Sequence, residues 1–255
     1  MKICLLASGS KGNSILVESG KTRLLIDAGL SARELRKRLD SVGVEAESLD
    51  ALLITHEHGD HVRGLGPLVR QLDLPVYLQT DLARKLPDVG KPECVQEFVD
   101  GEEFTIKDLK IRPFAITHDC LAPVGFTLDG ELGKVGVATD LGIVTRLVTE
   151  CLQDCRALVL ETNHDEELLR DGPYPWKLKQ RVRSNHGHLS NNAAGNLLQS
   201  LLWNGLETVF LGHLSETNNR PDLAVEVVRE VLEKQNICEP QVLLGKQHLP
   251  VLWAA

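Results

Sequence analysis

The segment Thr55-His56-Glu57-His58-Gly59-Asp60-His61 brings three imidazoles and the Asp60 carboxylate into six consecutive positions, directly after the apolar run Ala51-Leu52-Leu53-Ile54. A strand running out into a loop throws alternate side chains to one side, so His56 and His58 face the same way. Asp60 and His61 fall at the turn into the following helix and can face back toward the same point. Borderline nitrogen and hard oxygen ligands converging in this way suit two divalent ions better than one. The chain has only nine histidines, which makes a chance gathering in a polar loop a poor account of the motif.

Three further groups stand at the ends of strand-like runs. His118 follows Phe114-Ala115-Ile116-Thr117, Asp140 follows Val135-Gly136-Val137-Ala138-Thr139, and His213 follows Val209-Phe210-Leu211-Gly212. With residues 56–61 they supply the seven groups that a dinuclear site requires. Two ions roughly 3.5–4 Å apart lower the pKa of a shared water toward about 7 and neutralise an anionic transition state. Asp60 can orient that water or take its proton besides ligating, and a carboxylate such as Asp140 can give one oxygen to each ion. Histidine-rich sites with two carboxylates accept Zn or Mn.

The elements that must position these residues read as an alternation of strands and helices. Strands are expected at Lys2 to Ala7, Ser14 to Glu18, Thr22 to Asp27, Ala51 to Thr55, Val76 to Gln79, Phe104 to Ile106, Leu109 to Thr117, Val124 to Leu128, Lys134 to Thr139, Ala157 to Leu160, Thr208 to Leu211 and, as the last, Gln241 to Leu244. Helices are expected at Ser31 to Val42 with Ser31 as N-cap, Asp60 to Leu72, Ile143 to Leu152, Ser190 to Trp203 and Pro221 to Gln235. Both halves mix strands with helices and no linker divides them. The fold class is therefore α/β, a four-layer αββα sandwich forming a single domain over residues 1–255. The polar stretch from Asp165 to His186, with Pro173 and Pro175, reads as a long loop of the functional kind.

Composition narrows the setting. The chain is 42% hydrophobic and 25% charged, as in ordinary globular proteins, and has no apolar stretch near the roughly 20 residues that span a bilayer. The opening Met1 to Ala7 reads better as a strand than as a signal peptide, and the cytoplasm is the expected compartment. The six cysteines show no paired C-x-x-C spacing and read as reduced thiols; Cys120, two residues from His118, could approach the site. A net charge of −8 argues against general coating of nucleic acid but allows a local basic entrance. Lys177, Lys179, Arg181 and Arg183, running into His186-Gly187-His188, are the candidate for one. The cluster Arg33, Arg36, Lys37 and Arg38 reads as a solvated helix face.

The ordered set HxHxDH, His, Asp, His resembles the metallo-β-lactamase superfamily over nearly the whole chain, and implies its αββα sandwich. The resemblance implies that His56, His58 and His118 hold one metal and Asp60, His61 and His213 the other, with Asp140 bridging. A Glu in place of His58 would resemble the di-iron flavoprotein branch, so the histidine favours a hydrolytic Zn or Mn pair. Gly187-His188-Leu189-Ser190-Asn191-Asn192-Ala193-Ala194 resembles the histidine segment of ribonuclease Z, and Leu160-Glu161-Thr162 resembles the segment whose Glu pairs with that histidine. Gly212-His213-Leu214-Ser215 matches the form around the last ligand. By this resemblance His188, held by Glu161, protonates a departing sugar oxygen.

The small-residue loop Ala7-Ser8-Gly9-Ser10-Lys11-Gly12-Asn13-Ser14 lets backbone N–H groups approach an anion. That loop, Thr162-Asn163-His164-Asp165-Glu166, Gly172-Pro173-Tyr174-Pro175-Trp176 and Arg183-Ser184-Asn185-His186-Gly187-His188 together resemble the YycJ (WalJ) branch. The branch implies a nuclease acting 5′ to 3′ on double-stranded DNA, with a hydroxide between the two metals as nucleophile. Asp60, Glu161 and His188 are then the expected catalytic residues, and Ser10, Asn13, Ser190 and Ser215 the expected substrate contacts. His164 and His186 are expected beside the ligands or on the substrate side. Open alternatives are a hydrolase of a small ester, thioester or cyclic phosphodiester, an RNA-processing nuclease, and a non-enzymatic binding protein on the same fold.

Overall fold

The computed structural model describes residues 1–86 and 89–255. Two sheets pack face to face. The first is built from β1 (Lys2–Ala7), β2 (Ser14–Ser19), β3 (Thr22–Ile26), β4 (Ala51–Leu53), β5 (Val76–Gln79) and β6 (Val95–Phe98). The second contains β7 (Phe104–Ile106), β8 (Leu109–Ala115), β9 (Val124–Gly130), β10 (Gly133–Ala138), β11 (Ala157–Glu161), β12 (Thr208–Gly212) and β13 (Gln241–Leu244). The chain then crosses back, and β14 (Val251–Ala254) pairs antiparallel with β1 at the edge of the first sheet.

Both sheets repeat one pairing scheme. In the order β14-β1-β2-β3-β4-β5-β6 the pairs are antiparallel as far as β3 and parallel beyond it. In the order β7-β8-β9-β10-β11-β12-β13 they are antiparallel as far as β10 and parallel beyond it. Parallel neighbours share an end, and side chains that leave that end of the sheet gather along one rim of the sandwich.

Helices flank the sheets or stand at the rim: α1 (Ala32–Ser41), α2 (Gly59–Val62), α3 (Leu65–Leu72), α4 (Thr80–Lys85), α5 (Arg146–Leu152), α6 (Glu166–Asp171), α7 (Trp176–Val182), α8 (Asn191–Ser200) and α9 (Pro221–Glu233). Leu35 and Leu39 of α1 pack with Leu68 and Val69 of α3 on the outer face of the first sheet. Leu197 and Leu198 of α8 and Val228 of α9 do the same on the second. Between the sheets lies a third cluster, including Ile3, Val17, Leu53, Phe126, Val159 and Phe210, all fully buried. Removing one such aromatic, as in Phe126→Ala, would cost about 3–5 kcal/mol through lost transfer energy and the cavity left behind. The αββα sandwich is thus as expected.

Several elements differ from the sequence expectation. The helix expected from Asp60 to Leu72 is two, α2 and α3, separated at Gly64. The Gly64 N–H donates to Ala28 O (2.8 Å), and a Cβ there would meet Leu30 O at 2.1 Å. The stretch from Asp165 to His186 is not a continuous loop: the Asp165 side chain accepts from the N–H groups of Glu167 and Leu168 to start α6, and α7 follows Pro175. Gln241–Leu244 is not the last strand, because β14 follows it. The edge strand β6 went unread since its middle, Gln96-Glu97, is exposed and polar. Among the described residues no helix is long and apolar enough to cross a membrane.

Candidate metal centre and active site

The rim where the parallel strands end carries every ligand-type residue the sequence singled out. His56 and His58 follow β4 on one side of the chain, while the intervening Glu57 turns away to Lys85 Nζ (2.6 Å) and the Leu121 N–H (3.1 Å). His58 is the N-cap of α2, and the single turn of that helix swings Asp60 and His61 back toward the rim. Asp140 follows β10 and His213 follows β12, each with a left-handed backbone (φ 56° and 54°). Such conformations are sparsely populated for residues with a Cβ, and they turn the chain sharply just where a ligand group must leave the sheet.

Two sets of ligand atoms face one another. His58 Nδ1 lies 3.1 Å from His56 Nε2 and 3.2 Å from His118 Nε2. Nitrogens about 2.0–2.1 Å from a tetrahedral ion stand about 3.3 Å apart, so this spacing suits one ion. Asp60 Oδ2 lies 3.6 Å from both His61 Nε2 and His213 Nε2. Asp140 stands between the two sets, with Oδ2 3.2 Å from His61 Nε2 and Oδ1 3.7 Å from His118 Nε2. Asp140 Oδ2 and His213 Nε2 are buried without a hydrogen-bond partner of acceptable geometry. Buried polar atoms are ordinarily paired, and a pair of divalent ions would satisfy both. The residues present therefore fit two metals.

Hydrogen bonds behind the ligands select which ring nitrogens stay bare. His61 Nδ1–H donates to Asp27 Oδ2 (2.7 Å), which also accepts from Thr55 Oγ1 (2.8 Å), while Asp27 Oδ1 accepts from the Thr55 N–H (2.9 Å). His118 Nδ1–H donates to Gly187 O (3.0 Å) and His213 Nδ1–H to Glu161 Oε1 (2.8 Å). In the metal-free protein, burial works against a proton on His61, but Asp140 and Asp27 push its pKa up to about 10. His213 is likewise raised well above the ordinary value: burial opposes the charge, and Asp140, Asp60 and Glu161 outweigh it. His56 and His118 are pushed down, chiefly by burial. Burial would raise the carboxyls of Asp140 and Asp60, yet the imidazoles of His213 and His61 hold both below the usual range.

Glu161 is the pivot of the second half of the site. It is fully buried, and its Oε1 accepts from both His188 Nδ1 and His213 Nδ1 (2.8 Å each). Its Oε2 accepts from the N–H groups of Leu141 (2.8 Å) and Leu189 (3.1 Å). Burial alone would raise its pKa; His188 and His213 bring it down to about 2. With Nδ1 held, His188 presents Nε2, and its side chain keeps 20% exposure.

These groups open onto a cleft of about 370 Å³. Ser10 and Ser215 line it, as does Asn163, whose Nδ2 donates to His213 O (2.8 Å). Arg181 of α7 lies on its wall, paired with Asp119. Asn13 and Ser190, expected as substrate contacts, are not among the cleft residues. Asn13 is buried against Asp60 Oδ2 (3.3 Å) and His61 Nε2 (3.0 Å); Ser190 caps α8 and donates to Glu166 (2.9 Å). The ligand atoms of Cys120, His56 and His118 lie within 4.8 Å of one another, but burial raises the Cys120 thiol. His186 is exposed, whereas His164 is buried and pushed down to about 4 by that burial. Sequence reasoning missed Asp27 and the second bond of Glu161. Asp27 was findable, since Ile26-Asp27-Ala28-Gly29 repeats the pattern of Thr139-Asp140-Leu141-Gly142 at the matching strand of the other sheet.

The sandwich and its rim of histidines and carboxylates define a hydrolase of the metallo-β-lactamase fold. Residues 22–213 match the beta-lactamase superfamily domain, and the chain belongs to that superfamily. It is 37% identical over 228 residues to the exodeoxyribonuclease WalJ of Streptococcus pneumoniae serotype 2 (strain D39 / NCTC 7466), covering 88% of this chain and 85% of the relative. Its identity to the exodeoxyribonuclease YycJ of Bacillus anthracis is 34% over 234 residues, 91% of this chain and 89% of that protein. In three dimensions it is similar to the metallo-beta-lactamase fold protein YhfI from Bacillus subtilis, with a TM-score of 0.74 and 17% identity over 99% of both chains.

Proposed function

We propose that the chain is a dinuclear metal-dependent phosphodiesterase that degrades double-stranded DNA from the 5′ end. One observation carries the reading from hydrolase to phosphodiesterase: the buried Glu161 holds His188 beside the two ligand sets, with Nε2 left free at the cleft. The names of the WalJ and YycJ relatives support DNA as substrate. His56, His58 and His118 would hold one ion, Asp60, His61 and His213 the other, and Asp140 would bridge them. When bound, two Zn or Mn ions supply an acidified water and positive charge for the pentacovalent phosphorus.

The chain's own residues do the rest. Asp60 orients the attacking water, and Glu161 holds His188 in the tautomer and orientation for its task. His188 Nε2 gives a proton to the 3′-oxygen that leaves. Arg181 and the backbone around Ser10 meet the incoming phosphates. The free cysteines, four of them buried, accord with a reducing cytoplasm.

The test is end-labelled duplex and single-stranded DNA and RNA incubated with each metal, with product length and end chemistry read out. Duplex DNA should be shortened from its 5′ ends. His188→Ala should slow cleavage by about 10²–10⁴-fold with metal content intact. Full activity in a His58→Ala, Asp60→Ala double variant, or no uptake of Zn or Mn at micromolar levels, sinks the proposal.

A further inference from the structure

A second cavity, of about 280 Å³, lies on the other side of His188. His188 is the one side chain among the described residues that lines both it and the metal cleft. Helix α7 divides the two by face: Leu178 and Val182 border the cleft, while Trp176, Lys179 and the C-cap residue Arg183 border the second cavity. Those spacings, i, i+4 and i, i+3, i+7, are each a single helical stripe.

The cavity is furnished for a nucleotide. Trp176 is 62% exposed, and the Arg183 guanidinium stands 6.0 Å from its ring centroid. An indole held in solvent offers a stacking face to a base. Neither Lys179 nor Arg183 is in an ion pair among the described residues, although Lys179 Nζ donates to Arg170 O (2.7 Å). Glu166 is the acid on the wall, and it accepts from Ser190 Oγ (2.9 Å). His164, only 2% exposed, lines the cavity with Nδ1 unpartnered. The amino end of α8 also opens onto it through Ser190 and Ala193, adding partial positive charge. The volume of about 280 Å³ falls just short of the range for drug-sized ligands, roughly 300–1,000 Å³, and so suits one nucleotide rather than a longer segment of strand.

We infer that this cavity seats the 5′-terminal nucleotide of the strand, base against Trp176 and 5′-phosphate between Lys179 and Arg183, with its 3′-oxygen at His188. The inference rests on the nuclease reading above and adds to it the seat of the leaving group. The oxygen of water bonds to the phosphorus of the second nucleotide and the bond from that phosphorus to O3′ breaks. The proton that the water loses passes through Asp60 to solvent, and the His188 proton goes to O3′. A deoxynucleoside 5′-monophosphate with a free 3′-hydroxyl remains in the cavity, and the shortened strand carries a new 5′-phosphate, the end the cavity recognises.

The experiment compares metal-loaded enzyme on one duplex bearing either a 5′-phosphate or a 5′-hydroxyl. Wild type should cut the phosphorylated end about tenfold or more faster in kcat/KM, since two cations contact that phosphate, and release a 5′-mononucleotide first. The Lys179→Ala, Arg183→Ala double variant should bring the ratio within about twofold of one, with metal content and melting temperature as in wild type. Trp176→Ala should raise KM about tenfold on both ends while keeping the ratio. Equal rates on the two ends by wild type, or a double variant that retains the preference, overturns the seat and leaves the nuclease reading standing. Failure of wild type to cut either duplex overturns both.

Discussion

Replacing Glu161 by Gln tests the site at its pivot. The carboxylate accepts four hydrogen bonds: two imidazole N–H groups on Oε1 and two backbone N–H groups on Oε2. A carboxamide has one acceptor oxygen. If that oxygen serves Leu141 and Leu189, the NH₂ faces His188 and His213, and both rings must move their proton from Nδ1 to Nε2. His213 Nε2, the buried unpartnered atom proposed as a metal ligand, would then carry hydrogen. Each lost charge-assisted bond is worth about 1.5–3 kcal/mol. A partner behind a ligating histidine typically contributes about 10–100-fold in metal affinity. Glu161→Gln should therefore weaken one of two ions by about 10–100-fold, leaving the other near wild type. At saturating metal, kcat should still fall by about 10²–10⁴-fold, because His188 is in the wrong tautomer. Metal content after equilibration at defined free concentrations, together with cleavage rates across metal concentration, separates the two effects. A variant that holds both ions as wild type does and cleaves within about twofold of it would refute the reasoning.

Asp27→Asn keeps a residue that tolerates the left-handed backbone (φ 61°) but leaves one acceptor oxygen in place of two; with that oxygen on the Thr55 N–H, the NH₂ faces His61 Nδ1. It should lower metal affinity about 10–100-fold and stability by about 1–3 kcal/mol, checked by metal titration and denaturant unfolding. Gly29→Ala would put a Cβ 1.7 Å from Asp60 O and 2.5 Å from the Asn13 nitrogen. Backbone cannot yield as a flexible side chain does, so the loss should reach about 3 kcal/mol or more and be read as a lowered Tm with metal uptake impaired. Loading metal must expel the protons that His61 and His213 hold in the metal-free protein. Addition of Zn or Mn at neutral pH should release about two protons to a weak buffer, and affinity should rise with pH; uptake without proton release would contradict it. The same raised pKa has a stability counterpart. The charged His61 stabilises the metal-free fold fully below the ordinary histidine value of 6.5, and that contribution is lost as pH rises through about 10. Metal-free protein should accordingly melt lower at pH 10 than at pH 6 relative to a His61→Gln control.

The seven ligand-type residues were legible in the chain because each stands where an apolar run stops, and such a run specifies both a strand and the end from which its next side chain projects. The sandwich was legible for a similar reason: apolar runs and amphipathic stretches alternate in two like halves. Short polar elements were not. The edge strand β6 and the two helices between Asp165 and His186 bury too few residues to print a period, and they form because caps and neighbours satisfy their backbone. By sequence Asp27 is the end of a strand and Asn13 a substrate contact; only packing against His61 and Asp60 gives them their part behind the ligands. Long-range contact decided the most informative distances. Glu161 reaches His213, 52 positions away, because β11 and β12 are parallel neighbours. His188 borders two cavities only because the fold brings residues of α7 to the walls of both. Residue type and local pattern follow from nearest neighbours along the chain and are present before it folds; which oxygen faces which imidazole depends on strand register and close packing, and those exist only in the folded protein.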